Sequence, residues 1–150
     1  MIDKNTVLIS GACLFREVRG KRQWFLVKQT KAGEWEIPKV LTRKGESSVR
    51  AALRMMGEKA GISARVLEEA GRAGGATTIN GKTLPQRHIY YLMLTKTTPV
   101  ESIGFPESAW LDYSNAVKKL SSKREKQMLK SAREVLEKWK KANQKKRQNS

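Results

Sequence analysis

Cysteine and histidine are almost absent: the 150 residues hold one of each, Cys13 and His88. A single thiol excludes an internal disulfide, and the pair is too small a ligand set for a Cys/His zinc site. Cys13 lies inside the apolar run VLISGACLF. A thiol there is read as a small core hydrophobe rather than a nucleophile. No stretch approaches the ~20 apolar residues that a spanning helix needs. The amino end, MIDKNTVLIS, has no basic segment before its apolar run. The expectation is therefore no signal peptide and a cytoplasmic location. Acids are scarce too, with 14 Asp plus Glu against 31 Lys plus Arg.

The formal charge of +17 follows from that imbalance. Thirteen basic and three acidic residues fall between Lys118 and Arg147, so the excess is concentrated toward the carboxyl end. Such a field attracts polyanions, RNA and nucleotide phosphates among them. The length suits one domain, expected over residues 1–142, with a polar basic tail at 143–150 too poor in apolar residues to fold.

Hydrophobic periodicity gives an alternation of strands and helices. Val7 to Phe15 and Gln23 to Gln29 are expected to form a hairpin across VRGKRQ. Trp35-Glu36-Ile37 is a short extended piece, held out of helical geometry by Pro38. Val40 to Gly45 is expected as loop. A helix follows from about Glu46 or Ser47 to Ala60, with Val49, Ala52, Leu53 and Met56 on its apolar face and Gly61 closing it. Ala64 to Ala73 and Gln86 to Thr95 are strands, and Asn80-Gly81 between them is a hairpin signal. Ala109 to Asp112 is a short strand and Tyr113 to Leu120 a short helix. In the last helix Met128, Leu129, Ala132, Val135, Leu136 and Trp139 form one stripe, opposite Lys123, Lys126, Lys130, Arg133, Lys140 and Lys141. A membrane-surface role would suit that amphipathicity, but packing on the rest of the domain explains the stripe more simply. No membrane partner is expected.

The segment WEIPKVLTRKGESSVRAALRMMGEKAGI carries the chemistry. A loop entering a helix can place carboxylates at i, i+3 and i+4 on one face, where they would hold a hard cation such as Mg2+. The segment resembles the Nudix box, whose pattern is Gly, five residues, Glu, seven residues, then Arg-Glu-U-x-Glu-Glu-x-Gly-U, with U a bulky aliphatic. Glu46, Arg54, Met56, Glu58, Gly61 and Ile62 match it. Val40 stands for the first Gly, Met55 for the first helix Glu and Lys59 for the last. WEIPK resembles the Trp-x-Leu-Pro-Lys lead-in of that family. GKTLPQRHIYYLML and AWLDYSNAVKKLSSKREKQMLKSA resemble later segments of its dinucleoside-tetraphosphatase-like branch. The resemblance runs from about Val7 to Leu136.

It implies an α/β fold: an α/β/α sandwich around a mixed β-sheet, here with a basic amphipathic C-terminal helix. In active members the helix carboxylates hold Mg2+ or Mn2+, and the substrate is a nucleoside diphosphate linked to another group. Carried over residue by residue, Glu58 is the one residual metal ligand on the helix face. Glu46 is an accessory ligand or the partner of Arg54. Lys39, Arg43, Lys44 and Lys59 are candidate phosphate contacts. A lysine at 59 repels a nearby cation: one charge at 4 Å is worth about 4 kcal/mol at an effective dielectric of about 20, and a divalent ion feels twice that. Two function classes follow. One is a scaffold with weak or lost hydrolysis that binds RNA, a ribonucleoprotein or nucleotide phosphates, with Lys140, Lys141, Lys145, Lys146 and Arg147 gripping the polyanion. The other is an active hydrolase of nucleoside diphosphate-linked substrates such as dinucleoside polyphosphates. It would use Glu58 with carboxylates outside the box, drawn from Glu34, Glu36, Glu68, Glu69 and Glu101. His88 is read as structural, and one of Tyr90 and Tyr91 as core with the other beside the pocket.

Overall fold

The computed structural model describes residues 6–95 and 104–148, with backbone alone at 77, 79 and 146–148. Six strands and three helices follow in the order β1 (Val7–Val18), β2 (Lys21–Lys28), β3 (Lys39–Leu41), α1 (Ser48–Ala60), β4 (Arg65–Ile79), β5 (Lys82–Leu94), β6 (Glu107–Leu111), α2 (Tyr113–Lys119) and α3 (Lys123–Gln148). The strands form one mixed sheet, ordered β4-β5-β1-β2-β6, with β3 also paired to β1. β1 organises it. Its carboxyl half pairs antiparallel with β2 through Phe15 and Trp24, and its amino half with β3 through Ile9 and Leu41. Along its length it runs parallel to β5, from Val7 beside Gln86 to Phe15 beside Leu94.

Both hairpins turn where the sequence supplies left-handed backbone. Arg19-Gly20 and Asn80-Gly81 each have two successive positive φ values, as a two-residue turn between twisted strands requires. Because the Asn80-Gly81 turn is this tight, β4 and β5 extend to it on both sides and are longer than hydrophobicity alone suggests. The short strand lies at Lys39–Leu41 rather than at Trp35–Ile37, and Val40 is therefore not loop. Residues 35–37 make one isolated bridge, Val27 to Glu36, because Pro38 has no amide to continue a ladder.

Side-chain alternation on β1 fills two layers. Ala12 and Leu14 enter a cluster with Met55, Met56, Ala60 and Phe105 on the α1 side. Cys13 and Phe15 enter another with Tyr90, Leu129, Ala132 and Leu136 on the α2/α3 side. The chain is thus an α/β/α sandwich about a mixed sheet, as the resemblance implied. Burial pushes the Cys13 thiol far above its ordinary range, so it is an inert core residue.

In α1, Ser47 caps the amino end by accepting the Arg50 amide at 3.2 Å, and Gly61 closes the other end at φ 64°. The buried face is Ala51, Ala52, Met55, Met56 and Ala60, while Leu53 is turned to solvent. The apolar stripe is centred one residue away from its expected line because residue 55 belongs to it. α3 continues to Gln148, through the segment whose composition suggested a tail. Lys, Gln, Arg and Ala are good helix formers, and no breaker follows the docked part of the helix. No described helix is long and apolar enough to cross a membrane.

Candidate nucleotide and phosphate site

The loop before α1 is tied to the helix by one guanidinium. Arg54 donates from Nε to Glu46 Oε2 at 2.8 Å, and from Nη2 to Glu46 Oε1 at 3.0 Å and to the Leu41 carbonyl at 3.3 Å. The Arg43 amide donates to the same Glu46 oxygen at 3.1 Å. A forked pair of this kind fixes geometry as well as charge. These donors hold the Glu46 carboxyl down at about 2, Arg54 first among them. Both Glu46 oxygens are therefore committed to holding the loop, as one of the two expected roles required.

One turn further on, Glu58 Oε2 lies 3.7 Å from Arg54 Nη1, with 59% of its side chain exposed. Met55 is 0% exposed, packed in the core cluster that also holds Ala12, Leu14 and Met93. The Lys59 carbonyl accepts the Gly104 amide at 2.8 Å, and Lys59 Nζ stands 5.6 Å from the centre of the Phe105 ring. Gly104 has to be glycine for this approach, because a Cβ there would come 2.6 Å from Lys59 Cα. The donor set fits a hard divalent cation poorly. It offers one exposed carboxylate already shared with arginine, a buried thioether and an ammonium. Among the described residues no group of three or more acids, histidines or cysteines is placed to hold a metal.

Lys39 sits on the other side of β3. Its Nζ donates to Glu36 Oε1 at 2.9 Å, to the Ile37 carbonyl at 3.2 Å and to Glu125 Oε2 at 3.3 Å. Glu125, only 4% exposed, is the centre of this network. It also accepts the Ile37 amide at 3.0 Å and the Tyr90 hydroxyl at 3.1 Å. Burial raises its carboxyl, against the pull of the Lys39 ammonium. Burial likewise raises the Tyr90 phenol, so it remains a neutral donor. The sequence held a sign of this residue. Extending the α3 stripe back from Met128 and Leu129 by one turn lands on Glu125, a carboxylate on an otherwise apolar face.

Two adjoining recesses open on this side. One, of about 170 Å3, is bounded by Trp35, Glu36, Lys39, Tyr90 and Arg124. The other, of about 490 Å3, is bounded by Arg72, Gly74, Gly75, Arg87 and His88. Arg124 stands between them, donating to the Gly74 carbonyl at 3.0 Å. His88 is 4% exposed, its ring nearly parallel to that of Tyr90, and its Nδ1 has no partner. Burial, with Arg124 nearby, lowers its proton affinity and favours the neutral ring.

The structure does not gather the expected phosphate contacts into one cluster. Lys39 faces α3, while Lys59 belongs to α1, and Arg43 and Lys44 are exposed on the loop between β3 and α1. Tyr90 is the core tyrosine and Tyr91 turns to the α1 side, where its hydroxyl meets Ser48 Oγ. Of the acids outside the box, Glu36 pairs with Lys39, Glu69 with Arg72, Glu34 accepts from Ser121, and Glu68 is exposed. Glu101 lies outside the described residues. On α3, Lys140 pairs with Glu17 at 2.7 Å, whereas Lys141 and Lys145 are exposed. The side chains of Lys146 and Arg147 lie outside the described set.

Comparison with known proteins agrees with this architecture. The Caenorhabditis elegans Ap4A hydrolase, in a binary complex, superposes with a TM-score of 0.70 at 20% identity, over 87% of this chain and 97% of that one. The NUDIX domain of Shewanella oneidensis NrtR, complexed with ADP ribose, gives 0.72 at 18% identity, over 89% and 90%. A NUDIX hydrolase from Nitrosomonas europaea gives 0.68 at 16% identity, over 87% and 90%. None of the curated proteins matches the chain significantly. The model of the NUDIX domain family matches residues 9–132. With that span covered and the sandwich formed, the chain belongs to the NUDIX family.

Proposed function

We propose that this NUDIX-fold chain has weak or lost pyrophosphohydrolase activity and binds phosphate-bearing ligands: RNA, a ribonucleoprotein or nucleotide phosphates. The observation that carries the reading is Met55, a fully buried thioether at a position where the box has a carboxylate. A charge placed there would have to be desolvated in the core. Lys59, one turn on, adds an ammonium where a cation would need an anion. Glu58 alone offers little to Mg2+ or Mn2+.

What is retained favours binding. Lys39 and Arg124 border the smaller recess, beside β3 and α3, and Arg87 the larger one, on β4 and β5. Arg43, Lys44 and Lys59 are the further candidate phosphate contacts, on the loop and on α1. Structural relatives include an Ap4A hydrolase and a domain holding ADP ribose, both of which point to nucleotides joined through phosphates. Lys141 and Lys145 project from α3, and with Lys146, Arg147 and the less available Lys140 they supply a polyanion surface. Contacts of this kind give affinity with little sequence preference.

Turnover of dinucleoside polyphosphates by the purified chain with Mg2+ or Mn2+ tests the reading. Turnover near background is expected. Robust hydrolysis that disappears in Glu58→Gln would overturn it and install the active-hydrolase reading.

A further inference from the structure

On the α2/α3 side of the sheet, at the end away from β3, a separate recess of about 610 Å3 lies between β2, α2 and α3. Its floor is Trp24, 1% exposed, and beside it Arg22. Residues 22 and 24 are two apart on β2 and so share a face. Each carries a buried donor without an acceptor, Nε1–H of Trp24 and Nε–H of Arg22. Buried N–H groups are nearly always paired, by protein, water or a bound group. Both orphans are donors, so what completes them must be an acceptor.

The walls agree in sign. The Arg133 guanidinium stacks 3.8 Å from the centre of the Tyr113 ring, which fixes a cation at the mouth. Lys138 and Lys141 stand on the rim and have no ion pair among the described residues. Two acids are present as well. Glu137 is occupied by Arg22 Nη1 at 3.1 Å, and Glu134 is exposed to solvent. Four cations against two acids, over two unfilled donors, select a compact oxyanion.

We propose that this recess is a phosphate-binding site, distinct from the cleft beside β3. Trp24 Nε1–H and Arg22 Nε–H are its inner donors, with Arg133, Lys138 and Lys141 at its mouth. The phosphate belongs either to a small phosphorylated molecule or to the backbone of an RNA strand lying along α3. The second source rests on the polyanion reading above, and the first does not.

The indole N–H resonance of Trp24, identified by its loss in Trp24→Phe, reports on the site directly in the full-length 15N-labelled chain. Inorganic phosphate and a short oligouridylate are titrated separately at fixed ionic strength. A saturable shift of that resonance is expected with at least one of them, and phosphate alone indicates a small ligand. Lys138→Gln/Lys141→Gln, both exposed, should raise the half-saturation concentration roughly tenfold. A Trp24 resonance that neither probe moves means a buried water only and overturns the proposal. So does a shift that sodium chloride reproduces, or one the double variant leaves unchanged. Anisotropy of labelled RNA on the same samples separates the two readings. RNA bound without a Trp24 shift keeps the polyanion surface and sinks the pocket, whereas a phosphate shift without RNA binding does the reverse.

Discussion

The ring of Tyr90 lies across Gly11, in the space where a side chain at residue 11 would stand. A Cβ there would come 2.7 Å from Tyr90 Cε1, and the hydroxyl beyond donates to Glu125. Residues 11, 39 and 90 sit side by side on β1, β3 and β5, so a bare backbone at 11 lets the tyrosine reach the carboxylate that also holds Lys39. Gly11→Ala should therefore displace the ring and leave the buried carboxylate short of a donor. A loss of about 2 kcal/mol is expected, or roughly 4–8 °C in Tm. Chemical and thermal denaturation check it, and unchanged stability would show that the ring has room to move.

Acid should loosen the loop before α1 through Glu46. Its carboxyl is held at about 2 in the folded chain, below the ordinary 4.5. A depressed carboxylate contributes stability that is fully present above the ordinary value and is lost as pH falls through the folded one. The window is thus between about 4.5 and about 2. Denaturation midpoints measured across it should fall less steeply in Glu46→Gln than in the parent chain.

Divalent cations should not raise the Tm of the parent chain. Met55→Glu/Lys59→Glu restores two acids but buries one, at a cost of about 3 kcal/mol or more without metal. If the alignment with the box is right, Mn2+ stabilises the double variant. The gain is about 2.7 kcal/mol at a hundredfold excess over Kd. Thermal scans with and without Mn2+ measure both effects, with calorimetry for the affinity. A metal response in the parent chain would contradict the reading of α1.

RNA affinity should fall with salt, and the slope counts the lysines engaged. Each phosphate contact to a single strand contributes ~0.7 to the slope of log affinity against log salt. Lys141→Gln and Lys145→Gln should each flatten it by about that amount. Lys140→Gln should do less, because its ammonium already pairs with Glu17. Fluorescence anisotropy over a salt series decides this, and a slope indifferent to all three would remove α3 from the interface.

The layers of the fold were legible because their signals are local: β-branched runs, Asn80-Gly81, Ser47 and Gly61 around α1. The NUDIX pattern was legible for the same reason, since its spacing is contained in one loop and one helix. Less so was anything joining distant segments. Lys39 meets Glu125 across 86 positions of sequence, and no window along the chain holds both. The burial of Met55 was obscured by the expectation of a polar face at that turn. The seat of Gly104 on Lys59 needed the backbone itself, because nothing in the sequence sets this glycine apart from the others. β3 was missed because three residues beside a proline carry too little periodicity to announce a strand.

α3 is anchored to the sandwich from Glu125, deep in the core, to Lys140, clamped by Glu17, and then keeps going. Among the described residues, its remaining turns contribute cations and no member of the core clusters. Selection can therefore lengthen, shorten or neutralise that overhang without renegotiating the body of the molecule. The proposed polyanion contact and the integrity of the sandwich are thus carried by separable stretches of one helix.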